Sequence, residues 1–284
     1  MALDYLPEVT PNSFATVDEA MAYIARDRGG EGNSEFWARS CLNAVADRFE
    51  SETGRRLCGR VYRTAAALTG SMTAGSAVVT GLSSTATLKE FDDATHASLP
   101  GGARILSVDS STQVTLTKEC NAAISSGSIT FGSAPLVADG RNEYTVEGYW
   151  KLWCPEYPLH ALYSVKYRDE SGALTSVTTT GYRIEASTGL IILPQDAGPV
   201  GEQNIEIECL AGYLPPAAGS RRGFDGWGSL KQLTLRAVEV LYQDWQQHHG
   251  RSGDLSVVNV TSRVYSFDWP EDIKRGLAAF ARRW

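Results

Sequence analysis

The sequence has no run of apolar residues approaching the ~18–20 that a membrane-crossing helix needs. Its opening, "MALDYLPEVTPNSF", lacks the basic and apolar blocks of a signal peptide, so synthesis and action in a cytoplasm are expected, with no membrane partner. The cysteines, Cys41, Cys58, Cys120, Cys154 and Cys209, are odd in number and without CxxC spacing. That pattern indicates neither a disulfide framework nor a zinc site, and buried thiols are expected. Positive charge is not in surplus: the net charge is −7, against a protein that grips nucleic acid by neutralising phosphates. An acidic wall still suits a passage for DNA, because it repels the backbone and prevents sticking. No GxxxxGK[ST], GxGxxG after a strand, GxSxG, HExxH or EF-hand loop occurs, so neither an enzyme nor a cofactor is expected.

What is present is a folded chain, 43% apolar and 10% aromatic, too rich in both for disorder, and 284 residues suit one large domain or two modest ones. "TVDEAMAYI" from Thr16 carries a capping box, with Val17, Ala20, Met21 and Ile24 at helical spacing. "SEFWARSCLNAVADRFESETG" places Trp37, Cys41, Leu42, Val45 and Phe49 on one face of a second helix, stopped at Gly54. From Thr69 the composition turns to Ser, Thr, Gly and Val. "SAVVTGL", "STATLKEF", "ARILSVDS", "TQVTLTKE" and "GSITFG" read as short strands of a small all-β insert, 69–132, whose rings are Phe91 and Phe131. Leu162, Val165 and Tyr167 then read as a strand that turns at "DESG" into "ALTSV"; "GYRIEA" and "GLIILP" make a second hairpin, and "NIEIECLAGY" alternates apolar with polar. A long helix through Leu230, Leu233, Ala237, Leu241 and Trp245 stops at Gly250, and Pro270 opens a tail helix striped by Ile273, Leu277, Phe280 and Trp284. The fold class expected is α+β: a helical bundle with antiparallel β-hairpins in a discontinuous domain, 1–68 and 133–284, plus the insert.

Several side chains invite chemistry. Adjacent His248 and His249 point about 100° apart on a helix and suit its C-terminal dipole better than a shared ion. Asp92 and Asp93 read as carboxylates of a solvated loop, with nothing apolar near to raise a pKa. Glu206 and Glu208 read as outward strand residues, and the sequon at Asn259 has no weight without secretion. The arginines of "ESETGRRLCGR" look like a phosphate hook, yet they follow a helix C-terminus, the end that favours cations. Trp269, Ile273, Phe280 and Trp284 lie beyond a polar spacer, which leaves open docking on a partner or packing on their own core.

In order and type, "TVDEAMAYI", the helix ending "FESETGRRL", "YPLHALYSVKYRDESGALTSV", "YRIEASTGLIIL", "IEIECLAGY" and "LKQLTLRAVEVLYQDW" resemble the head-tail connector, or adaptor, proteins of tailed bacteriophages. The likeness spans roughly residues 16–62 and 157–247. It implies a virion protein at the neck, assembled in the host cytoplasm: a dodecameric ring of its own copies, beneath the portal protein. Genomic DNA would pass through the ring unbound, and a stopper, tail or nozzle protein would attach below. The C-terminal segment, about 251–284, would then dock on the portal through Trp269, Ile273, Phe280 and Trp284. Trp37, Arg55, Arg56 and Arg60 become candidate subunit contacts, since Arg binds carboxylates in bidentate fashion. The insert departs from the family and resembles a β module of phage structural proteins, suited to neighbouring subunits or tail fibres. A tail terminator or stopper is the alternative, with a virion polysaccharide-degrading enzyme behind it.

Overall fold

The computed structural model describes residues 12–24, 34–138, 143–144, 150–169, 171–177, 180–193, 203–215, 226–249 and 267–281. Two compact units are present: unit 1, Met1–Cys58 with Tyr213–Trp284, and unit 2, Gly59–Gly212.

Unit 1 holds the described helices α1 (Val17–Ile24), α2 (Ser34–Thr53), α3 (Gly226–His249) and α4 (Glu271–Ala278). The capping box of α1 forms: Thr16 N–H donates to Glu19 Oε2 at 3.0 Å, and Glu19 N–H to Thr16 Oγ1 at 3.2 Å. At the end of α2, Gly54 has φ +68° and Arg55 N–H donates to Glu50 O at 3.2 Å, the Schellman closure that the sequence signals. A side chain at Gly54 would meet nothing, so the left-handed backbone alone selects glycine. Pro270 precedes α4, whose first turn carries Glu271 and Asp272, as the dipole favours. All four helices contribute to one core, with Ile24, Leu42, Phe49, Leu230, Leu241 and Ile273 among its members. A Cβ on Gly276 would lie 2.5 Å from Leu233 Cδ2, so the close approach of α4 to α3 depends on that glycine.

Unit 2 holds the described strands, in two antiparallel sheets. The larger runs β11 (Leu174–Ser176), β10 (Leu159–Arg168), β14 (Ile205–Ala211), β1 (Arg60–Met72), β6 (Ile124–Ser133), β3 (Asp93–Thr95), β4 (Ala103–Ser110), β5 (Gln113–Leu116), β2 (Val78–Val79), with β7 (Leu136–Ala138) also on β14. The smaller runs β12 (Arg183–Glu185), β13 (Leu190–Leu193), β9 (Trp150–Trp153), β8 (Glu143–Tyr144). Strand β1 has two partners in succession: Arg60 to Tyr62 pair with β14, and Arg63 to Met72 with β6. The buried residues form two clusters to match. One, from Met72 to Phe131, belongs to the Ser/Thr-rich stretch; the other joins β9, β10, β13 and β14 through residues such as Leu152, Leu162, Ile191 and Ile207.

The hairpins β10–β11 and β12–β13 form as expected, and β14 alternates buried Ile205, Ile207 and Cys209 with half-buried Glu206 and Glu208. "STATLKEF" is not a strand: Leu88 N–H donates to Thr85 O at 2.9 Å in a turn, Thr85 Oγ1 donates to the distant Ser110 O at 2.6 Å, and strand β3 starts at Asp93.

Candidate interface surfaces

The arginines following Gly54 separate at once. Arg55 is 4% exposed; its Nε donates to Phe280 O at 2.6 Å, and its guanidinium lies 5.5 Å over the Tyr213 ring. Arg56 is half exposed, with Nη1 3.8 Å from Glu50 Oε2. Arg60, in unit 2, has Nε 3.3 Å from Asp93 Oδ2, while Arg104 Nε reaches Asp93 Oδ1 at 3.1 Å and its Nη1 donates to Gly59 O at 3.0 Å.

Beside them Arg63 Nε donates to Asp92 Oδ1 at 2.7 Å, and Asp92 Oδ2 accepts from Lys89 N–H at 2.8 Å. Asp92 is 0% exposed, which corrects the expectation of a solvated loop carboxylate. The reason is distant in sequence: Arg63 on β1 supplies the charge that lets a carboxylate sit inside, since a buried charge persists only when paired and hydrogen-bonded. Burial pushes the Asp92 carboxyl above its ordinary value, opposed by Arg63 and the Lys89 amide. Nearby, the Tyr163 hydroxyl is pushed up to about 12, by burial first and then by the Asp92 charge. The resulting ladder of three arginines and two aspartates ties β1 to β3 and β4.

Trp269 and Phe280, on the described part of the tail, face inward. Trp269 is 2% exposed and meets Phe49 and Phe267 edge-on at centroid distances of 6.1 and 5.6 Å, with the Arg48 guanidinium 4.6 Å from its ring. Ile273 and Phe280 are buried in the same core, Phe280 against Tyr213 at 5.4 Å. Trp37 is 2% exposed and packs on Tyr242 at 5.1 Å. Within the single chain, then, the candidate docking residues Trp269, Ile273 and Phe280 and the candidate subunit contact Trp37 lie in the core of unit 1, and α4 presents Glu271, Asp272, Arg275 and Ala278 outward. Trp284 and Asn259 lie outside the described residues, as do the side chains of His248 and His249.

On the sheet of unit 2, Glu208 is clamped: Ser164 Oγ donates at 2.7 Å, Thr64 Oγ1 at 3.0 Å and Thr64 N–H at 3.2 Å, with Lys166 Nζ at 3.4 Å. Burial alone would raise its pKa, but those bonds outweigh it and hold the carboxyl below its ordinary value. Glu206 pairs with Arg168 Nη2 at 2.8 Å. Cross-strand pairs such as these set the register of β10 on β14 and define one polar face. The end strand β11 is exposed throughout, and Leu106 on β4, 57% exposed, is the most open large apolar side chain among the described residues. Among the described residues no three His, Cys, Asp or Glu side chains gather as a metal would need, and no helix is long and apolar enough to cross a membrane.

No family model matches the chain, and no curated protein matches it. Among solved structures the likeness is loose, as one similar chain illustrates. It comes from a structure described as the neck of an empty GTA particle computed with C6 symmetry, and aligns over 94% of this chain and 98% of its own at 14% identity, with a TM-score of 0.36. At that score the two share too little geometry to establish a common fold.

Sequence reading overlooked the partners Arg63 and Arg104 and the Thr64–Ser164 clamp. The one available signal was the density of charged residues in "GRVYR" against "EFDD", opposite signs in segments some thirty residues apart.

Proposed function

We propose that the chain is a structural, non-enzymatic neck protein of a tailed virion: a head-tail adaptor that forms a ring beneath the portal, extends the DNA passage and seats the next tail component. The observation that carries this reading is the ordered set of adaptor-like segments and the way they connect. The "TGRR" stop closes α2 and leads within a few residues into β1; β1 pairs with β14; and past β14 the chain reaches α3, which shares a core with α2. The helices of unit 1 would be the adaptor's bundle, and residues 69–132 its added module.

A closed ring uses two different surfaces on each subunit. With Trp37, Arg55 and Arg60 engaged inside their own units, the subunit contacts belong to exposed groups: the open edge of β11 and the half-exposed Arg56. Portal docking falls to the outward, charged side of α4, because Trp269, Ile273 and Phe280 already have neighbours. The test is to mix the purified chain with portal protein and examine it by native mass spectrometry and negative-stain imaging. Ring-shaped co-assembly is expected; a persistent monomer that cleaves polysaccharide would overturn the reading.

A further inference from the structure

We propose that Cys154 and Cys209 are an oxidisable pair, a latent disulfide site joining the two sheets of unit 2. Cys154 follows β9 of the smaller sheet directly, and its N–H donates to Gly189 O at 2.9 Å. Cys209 lies on β14 of the larger sheet, in register with Tyr62 on one side and Leu162 on the other. Both residues are 0% exposed, and their Sγ atoms are 3.9 Å apart. A disulfide has a sulfur separation of about 2.05 Å, so closure asks two short side chains for a combined shift of about 2 Å. The inference rests on this geometry alone and stands independently of the neck reading.

The surroundings favour a thiol pair over other uses of sulfur. Leu152, Leu162 and Ile207 belong to the same buried cluster, and two thiols are too few to hold a metal without further donors. Cys120 is engaged differently, with Sγ 2.9 Å from Thr73 O. Cys41 is buried in unit 1, where burial pushes its thiol up. The mutual hydrogen bond, and then burial, likewise hold the Cys209 thiol well above its ordinary range. Since thiolate is the reactive form, the pair resists brief oxidative exposure and answers to a sustained one.

An enclosed pair suits a small oxidant, and a hydroperoxide of the size of hydrogen peroxide meets that need. One cysteine attacks a peroxide oxygen as thiolate, breaking the O–O bond, releasing hydroxide and becoming a sulfenic acid. The second attacks that sulfur, forming the S–S bond and expelling the hydroxyl; with the two thiol protons the sum is one disulfide and two waters per peroxide. The bond would close a loop between residues 55 apart, a length at which cross-linking markedly restrains the unfolded chain.

The experiment treats the full chain with hydrogen peroxide under native conditions, alkylates it in denaturant without reductant, and maps the cysteines by mass spectrometry. Alkylation is expected at Cys41, Cys58 and Cys120 only, with the Cys154 and Cys209 peptides joined and lighter by two hydrogens. Thermal unfolding of unit 2 should shift upward by roughly 5–15 °C and return on adding dithiothreitol. A Cys120→Ala variant should cross-link normally and Cys154→Ala not at all. Alkylation of all the cysteines after peroxide, or sulfinic acid at Cys154 or Cys209 in place of the link, would overturn the proposal.

Discussion

The core of unit 1 is built around rings and the core between Met72 and Phe131 almost without them. In the first, Phe14 meets Trp227 at 4.8 Å, Trp37 meets Tyr242 at 5.1 Å, and Trp269 touches two further aromatics. In the second, Phe131 is the one ring among Val, Leu, Ile, Ala, Met and Cys residues. The two also draw on the chain differently, one joining distant segments, the other a continuous stretch. Each aromatic side chain buries roughly 150–250 Å². Large rings therefore suit the few contacts that must hold distant segments together, whereas hairpin strands close locally with smaller side chains. The lesson for the tail is direct: Phe267, Trp269 and Phe280 complete unit 1.

Substitutions at Trp269, at Asp92 with Arg63, and at Glu208 test that contrast. Trp269→Ala should cost about 3–5 kcal/mol, read from urea unfolding followed by unit 1 aromatic signals, with the strand signal of unit 2 unchanged. Trp269→Phe should lose far less, because a large ring still fills the site and, among the described residues, the buried indole N–H has no hydrogen-bond partner to lose. If the alanine variant unfolds like the parent, the tail does not belong to that core.

Asp92→Asn should act on unit 2 instead, costing about 3 kcal/mol by leaving Arg63 uncompensated. Replacing both Asp92 and Arg63 by Leu should restore most of that loss, since a well-packed apolar pair often matches a buried ion pair. A double variant no better than the single would show that the pair's other bonds, such as that to Lys89 N–H, matter more than its charge.

The smallest effect belongs to Glu208. Its folded pKa lies below the unfolded value, near 4.3 for an ordinary Glu, so the stabilisation is fully present above that value and is lost as pH falls through the depressed one. Glu208→Gln should flatten the acid limb of unit 2 unfolding, by under about 1 kcal/mol. An acid limb as steep as the parent's would assign the pH response to other carboxylates.

Much of this was legible in the residues, and the pattern of what was not is physical. The capping box at Thr16, the stop at Gly54 and the alternation of β14 depend on neighbours within a few positions, and each forms as its spacing indicates. "STATLKEF" misleads because strand propensity there competes with the turn from Thr85 to Leu88 and with the bond from Thr85 Oγ1 to Ser110 O, 25 positions away, which the alternation does not register. The burial of Asp92 is set by an arginine 29 positions away, and that of Arg55 by a carbonyl 225 positions away. Neither is visible in local sequence. Trp269 shows the same limit: an aromatic stripe looks alike whether it completes its own core or a partner's.

Unit 1 draws on both flanks of Gly59–Gly212, and this fixes an order of events during translation. Trp37, Leu42, Val45 and Phe49 leave the ribosome long before Leu230, Leu241 and Trp269, the residues that will share their core. At the ~5–20 residues per second of synthesis, the intervening stretch takes roughly 10–30 s to appear. For that interval the apolar side of α2 has only α1 to pack on and lacks α3 and α4, which leaves part of it exposed on the nascent chain as a natural client for a holdase-type chaperone.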